Sequence, residues 1–163
     1  MRYMIVLAAL SLPLAAQQPL RIGVYDTRAV AVAYAHSEYA QAPLRVKMEE
    51  HKAAKAAGNT ARIQELEEWG QTRQRQLHRQ GFGRVPVTDL LVHVKDRLPE
   101  AAARAGVQAI ASDCDFHAAS VQIVDITDEI VRLYDPSPRV LSIVKDMKGK
   151  PPISLDEIEK IKH

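Results

Sequence analysis

The stretch from Val121 to Leu133, VQIVDITDEIVRL, constrains the fold most, because it joins two periodicities at one corner. Val121 and Ile123 alternate with Gln122 and Val124, the pattern of a short strand rich in β-branched residues. Thr127 then stands where a hydroxyl can accept a free backbone N–H of a first helical turn. Asp128 and Glu129 follow at the positive end of the helix dipole, and Ile130, Val131, Leu133 and Tyr134 give the helix an apolar side. A strand running into a short capped helix that folds back over its own sheet is the expected result. Asp125 and Asp128 invite an acid–base reading, but their place around a helix cap explains them more simply.

A second strand signal opens the chain after its first residues. In Leu20 to Asp26 (LRIGVYD), Ile22 and Val24 share a face. Before it, residues 1–16 read as a secretory signal. Arg2 is the positive head, Ile5 to Leu14 is an apolar run too short to cross a bilayer, and Ala15 and Ala16 offer small residues for cleavage. The bland alternative for this run is a buried N-terminal strand. No later stretch is apolar enough to span a membrane.

Between these strands the pattern is helical. Thr27 is expected to cap a helix through about Tyr39, and Pro43 to open a second one reaching about Ala57. Gly58-Asn59 is a turn, and Thr60 is expected to cap a helix to about Gln80. Ile63, Leu66, Gly70, Arg73 and Leu77 recur at spacings of three and four, a thin seam for an antiparallel hairpin over about 43–80. Gly81-Phe82-Gly83 and Pro86 interrupt the pattern. Val87 to Ala105 is strongly amphipathic, with Thr88 as a cap, a break at Pro99 and a stop at Gly106. Val107 to Ser112 reads as another strand. After Asp135-Pro136-Ser137-Pro138, helices are expected from Arg139 to about Met147 and, capped by Ser154, from Leu155 to Lys162. The fold class is therefore α+β and mostly helical: a small sheet, a protruding helical hairpin, and a helical C-terminal tail over 135–163.

The two end motifs, Arg21-Ile22-Gly23-Val24-Tyr25-Asp26 and Val124-Asp125-Ile126-Thr127-Asp128-Glu129-Ile130-Val131, resemble the opening strand and closing corner of the Skp/OmpH family of periplasmic chaperones. The resemblance covers both ends of residues 20–134 and is loose between them. It implies an exported, periplasmic protein that trimerises through its sheet, near Ile22 and Ile123. It also implies helical arms that hold unfolded outer-membrane or envelope proteins without ATP or a cofactor. The arms here are short, and Gly81 to Pro86 and the tail after Tyr134 depart from the family pattern.

Composition narrows the alternatives. A net charge of +2 argues against dedicated nucleic-acid binding. Aromatics make up 5% of the chain, too few for a large β-sandwich core. Cys114 is the single cysteine, so it cannot close an internal disulfide, and it is expected to point inward. Asp113, Cys114, Asp115 and His117 include legitimate metal ligands, but a polar loop between strands accounts for them; no catalytic, cofactor or metal site is assigned. His51 and His78 are candidates to face each other across the hairpin. The candidate client contacts are Leu66, Trp69, Leu77, Phe82 and Arg73. Arg62, Arg73, Arg75, Arg79 and Arg84 surround that seam, and in the resembling family such basic arms hold acidic clients and approach anionic membrane surfaces. The competing reading is a scaffold that kept the core and docks its helical tail on one partner.

Overall fold

The computed structural model describes residues 19–160, so the expected leader over 1–16 lies outside the described residues. Three strands form one sheet: β1 (Leu20–Val24), β2 (Ala109–Ala111) and β3 (Val121–Asp125). β1 is central, in the order β2-β1-β3, and both pairings are parallel. Ile22 is the register partner of Ala109 on one side and of Ile123 on the other.

The helices are α1 (Thr27–Ala35), α2 (Glu38–Ala56), α3 (Thr60–Phe82), α4 (Thr88–Leu91), α5 (Leu98–Ala105), α6 (Thr127–Arg132), α7 (Pro138–Met147) and α8 (Leu155–Glu159). A 3-10 helix, Val92–Arg97, joins α4 to α5. The chain is thus mostly helical α+β, with α2 and α3 as the antiparallel hairpin.

The core forms where α1 and α6 cross the inner face of the sheet. Ile126, Ile130, Leu133 and Tyr134 from the corner, with Val30 from α1 and Val87 and Val94 from the returning segment, are among its largest fully buried side chains. Burying each such side chain stabilises by about 1.5–3 kcal/mol. Ile110 and Val124 pack against this cluster from the sheet. Tyr134 donates from its hydroxyl to the Leu90 carbonyl at 3.0 Å, which satisfies the one polar atom the ring carries inward.

Several local expectations are corrected. Thr127 does not cap α6. The Asp125 carboxylate accepts the Thr127 N–H at 2.9 Å, and the Thr127 hydroxyl accepts the Asp26 N–H at 3.0 Å, so it ties the ends of β1 and β3 together. Likewise Asp26 rather than Thr27 caps α1, and Asn59 rather than Thr60 caps α3. At α1 and α3 the side chain just before the threonine accepts a first-turn N–H, that of Arg28 and of Arg62 respectively. The first helix stops at Ala35, because Ser37 donates its hydroxyl to the Tyr34 carbonyl and its own carbonyl starts α2. Pro43 therefore lies inside α2, on an exposed face, rather than at its start. The amphipathic run 87–105 is not one helix: its middle tightens to 3-10 before Pro99 opens α5. Thr88 makes no capping bond. Helix α3 continues through Gly81 and Phe82, beyond Gln80, and the strand expected over 107–112 is only Ala109–Ala111.

The C-terminal tail folds back along the body. Val140 and Val144 of α7 are buried, and α7 packs on α1. Ile158 of α8 is buried against the end of α3, beside Gly83. Two hydrogen bonds to backbone carbonyls fix the connecting segment: the Arg28 guanidinium donates to the Lys150 carbonyl at 2.9 Å, and Ile153 N–H donates to the Phe82 carbonyl at 2.9 Å.

Candidate functional site

The hairpin is held together as much by polar pairs as by its seam. Its buried apolar residues are Ala54, Leu66 and Ala40, the last of which joins the main core. Around them Arg62 pairs with both Glu50 and Glu65, and Lys47 adds a contact to Glu50 at 3.1 Å. Hydrogen bonds from Lys47 and Arg62 hold the Glu50 carboxylate below its usual range. His51 faces Glu67 at 3.2 Å, not His78, which lies edge-on to Phe82 instead. Solvent screens exposed pairs of this kind and leaves them little net effect, so the hairpin is a lightly stabilised projection. Val46 and Met48 of α2 stay 58% and 60% exposed.

At its root the hairpin opens an apolar cleft of about 540 Å³. One wall is the face of α3 that runs from Trp69 through Arg73 and Leu77 to Phe82. The other is Ala31, Val32 and Ala35 of α1, with Leu44 of α2 at one end. Depth comes from missing side chains: Gly70 and Gly81 lie in the α3 wall, and a Cβ on either would meet no atom within 4 Å. Trp69 is half-buried, and Phe82 is 43% exposed at the far end.

Four of the five expected contact residues therefore share one cleft: Trp69, Arg73, Leu77 and Phe82. Leu66 does not join them. It is 6% exposed, lies in the hairpin seam, and borders a smaller groove of about 180 Å³ with Met48, His51 and Trp69.

Arg73 is the cleft's one arginine. Its guanidinium lies over the Trp69 ring at 5.6 Å and the Tyr34 ring at 5.9 Å, and it donates to the Ala40 carbonyl at 3.2 Å. Behind it stands an aromatic group that spacing along the chain does not reveal. His93 stacks on Tyr34 at 5.2 Å and tilts against Tyr39 at 5.5 Å, while Tyr134 meets both tyrosines edge-on. These residues come from α1, α2, the 3-10 helix and the end of α6, so only the fold unites them. The remaining signal in the sequence was the placing of tyrosines on the apolar sides of the first two helices.

A second surface is the outer face of the sheet. Leu20, Ile22 and Val24 of β1, Val121 and Ile123 of β3, and Ala109 and Ala111 of β2 point away from the core, and none is buried. Parallel sheets ordinarily bury both faces. Phe116, 84% exposed, projects from the connection between β2 and β3.

The polar loop does not converge on a cation. Asp113 pairs with Arg84 at 3.3 Å, and His117 Nδ1 lies 3.2 Å from the Ala118 carbonyl. Cys114 is half-buried rather than turned into the core, with Sγ 3.2 Å from the Phe116 carbonyl. Among the described residues, no three His, Cys, Asp or Glu side chains are grouped to hold a metal. No helix among them is long and apolar enough to cross a membrane.

No protein-family model, no curated protein and no solved structure matches the chain.

Proposed function

We propose that this protein is an exported, ATP-independent holdase of the Skp/OmpH type, which binds unfolded envelope or outer-membrane proteins by many weak contacts. The observation that carries the reading is the hairpin: a projection whose seam uses few of its apolar residues and leaves an open apolar cleft at its root. A client needs no fixed pose to contact Trp69, Leu77 and Phe82, because apolar attraction is non-directional. Arg73 adds attraction for acidic or aromatic client groups.

The outer face of the sheet supports the second half of the proposal, a homo-oligomer, with three copies by resemblance. Ile22 and Ile123 are adjacent on that face, and a second copy would cover what one chain leaves exposed. Several hairpins would then project from one hub and surround a client collectively. The scaffold alternative is less well supported, since three of the tail's apolar residues, Val140, Val144 and Ile158, are buried against the chain itself, which leaves Leu141 and Ile153 as its exposed ones.

The test has two arms. Purified protein should suppress aggregation of several unrelated unfolded outer-membrane β-barrels diluted from urea, without nucleotide. Light scattering behind a sizing column should give a multiple of the chain mass, and Ile123→Asp should convert it to monomer with its helical circular dichroism intact. Unaltered aggregation of every client overturns the holdase reading. A monomer before mutation overturns the hub.

A further inference from the structure

We infer that the cleft at the hairpin root is a binding site for a single-chain anionic amphiphile, with the acyl chain along the α3 wall and its carboxylate on Arg73. This goes beyond client holding, although it uses the same cleft.

Three features select that chemistry. The first is charge. No aspartate or glutamate lines the cleft, whereas Arg73, His36 and His78 do. Arg73 has a neutral hydrogen-bond acceptor and two rings as neighbours, but no carboxylate within ion-pair distance among the described residues. A half-buried guanidinium without a counter-ion is an anchor for an incoming anion, and a charge-assisted contact there is stronger than a neutral one.

The second is the kind of wall. Both long sides of the cleft are helices, whose backbone groups already bond within the helix. The last carbonyl of each helix is engaged too: Ala35 accepts from the Gln41 side chain, and Phe82 accepts from Ile153. A polypeptide backbone laid in the groove would find no partners for its own N–H and C=O groups, which is costly on burial. An acyl chain carries no such groups. Client proteins can offer side chains to this cleft, but the groove itself suits a hydrocarbon.

The third is length and depth. From Arg73 to Phe82 the wall runs about 14 Å, the reach of a chain of roughly ten to twelve carbons. The floor along that path is widened at Gly81, where nothing stands within 4 Å of a Cβ.

Trp69 is the only tryptophan in the protein, so its emission reports on the cleft directly. The experiment titrates the protein with dodecanoate and, separately, with dodecyltrimethylammonium, both below their micelle concentrations. The expected result is a saturable change in Trp69 emission with one dodecanoate per chain, and binding of the cationic amphiphile about tenfold weaker. Arg73→Gln should erase that preference while both chains still bind. Gly81→Leu, which adds bulk to open space in a helix, should block both with helical circular dichroism unchanged; calorimetry confirms the ranking where a variant alters the fluorescence itself. Equal affinity for the two amphiphiles, or no saturable change with dodecanoate, overturns the inference. So does an acidic aromatic peptide that shifts Trp69 emission where dodecanoate does not, since the groove would then belong to polypeptide. The aggregation assay is scored separately. A protein that binds dodecanoate but protects no client refutes only the holdase reading.

Discussion

Gly23 in the central strand lies directly against Ile126 at the strand-to-helix corner: a Cβ on Gly23 would fall 2.5 Å from Ile126 Cδ1. Ile126 is 2% exposed and is walled in by the rest of the core, so it has no space to retreat into. Gly23→Ala should therefore cost about 1–3 kcal/mol, the usual range for overpacking. A lowered urea midpoint with an unchanged slope would show it. Combining it with Ile126→Ala should cost less than the sum of the two single changes, because the second vacates the volume the first needs.

The same contact shows what was legible in the sequence. The alternation of Val121 and Ile123, followed by acidic residues and then Ile130 and Val131, fixes a strand, a helix start and a buried helix face within one short stretch. The structure places all three there, because local periodicity and tertiary burial agree at that corner. Capping shifts by one residue at Thr27 and Thr60, where Asp26 and Asn59 take the first-turn N–H groups, and at Thr127 the accepting carboxylate is that of Asp125, two residues earlier. Pro43 misplaced the start of α2, because an exposed proline ring early in a helix is tolerated when packing holds the flanking turns. The cleft residues on α3 were legible by their shared spacing. The opposing α1 wall and the aromatic group at Arg73 were not, because His93 and Tyr134 reach it from distant parts of the chain. Nothing in the tail's spacing ties it to the hairpin, and only the fold shows Ile158 seated on the hairpin root.

Tyr134 predicts a specific alkaline weakness. Burial, reinforced by the neighbouring Tyr34, Tyr25 and Tyr39, pushes its hydroxyl far above the ordinary value of 10.0. A pKa raised in the folded state means that the unfolded chain ionises first. The stabilisation is complete below pH 10.0 and is lost as pH climbs from there toward the folded value. Stability measured against pH should be flat from neutrality and fall beyond about pH 10. Tyr134→Phe should make that fall shallower and cost about 1 kcal/mol at neutral pH, through the lost bond to Leu90. Because Tyr25 is also raised by burial, the slope should diminish rather than vanish.

Asp26 predicts the opposite edge. Burial alone would raise its carboxyl, but the hydrogen bonds and charge of Arg28 outweigh that and hold it below the ordinary 3.8. The Arg28 side chain is only 7% exposed and makes its ion pair with Asp26 at 2.6 Å. Asp26→Asn should cost about 2 kcal/mol near neutral pH, within the range for hydrogen bonds to charged groups. The sign follows from the lowered pKa: the contribution is full above 3.8 and disappears as pH drops through the folded value. The stability gap between wild type and Asp26→Asn should therefore be constant near neutrality and close in acid. A gap that persists unchanged in strong acid would assign the loss to helix capping instead.

Ile158 predicts how the tail and the hairpin are coupled. It is 2% exposed, and its Cδ1 would lie 3.2 Å from a Cβ on Gly83, with Leu155 Cδ2 at 3.0 Å. Among the described residues, these contacts are joined by the Ser154–Glu157 capping box and the backbone tie from Ile153 to Phe82 in holding α8 in place. Truncating a buried isoleucine to alanine in a closed core costs about 2–5 kcal/mol. Helix α8 is too short to supply that much on its own, so it should detach before the core yields. Ile158→Ala should then lower global stability by less than about 2 kcal/mol, below the core range. Amide hydrogen exchange should lose protection across 153–159 and at the end of α3, while 126–134 stays protected. Losing the full core-sized amount in one cooperative transition would instead make the tail an integral part of the core. The local outcome would make α8 a detachable strap at the root of the hairpin, seated on the residue after Phe82, which ends the cleft's α3 wall.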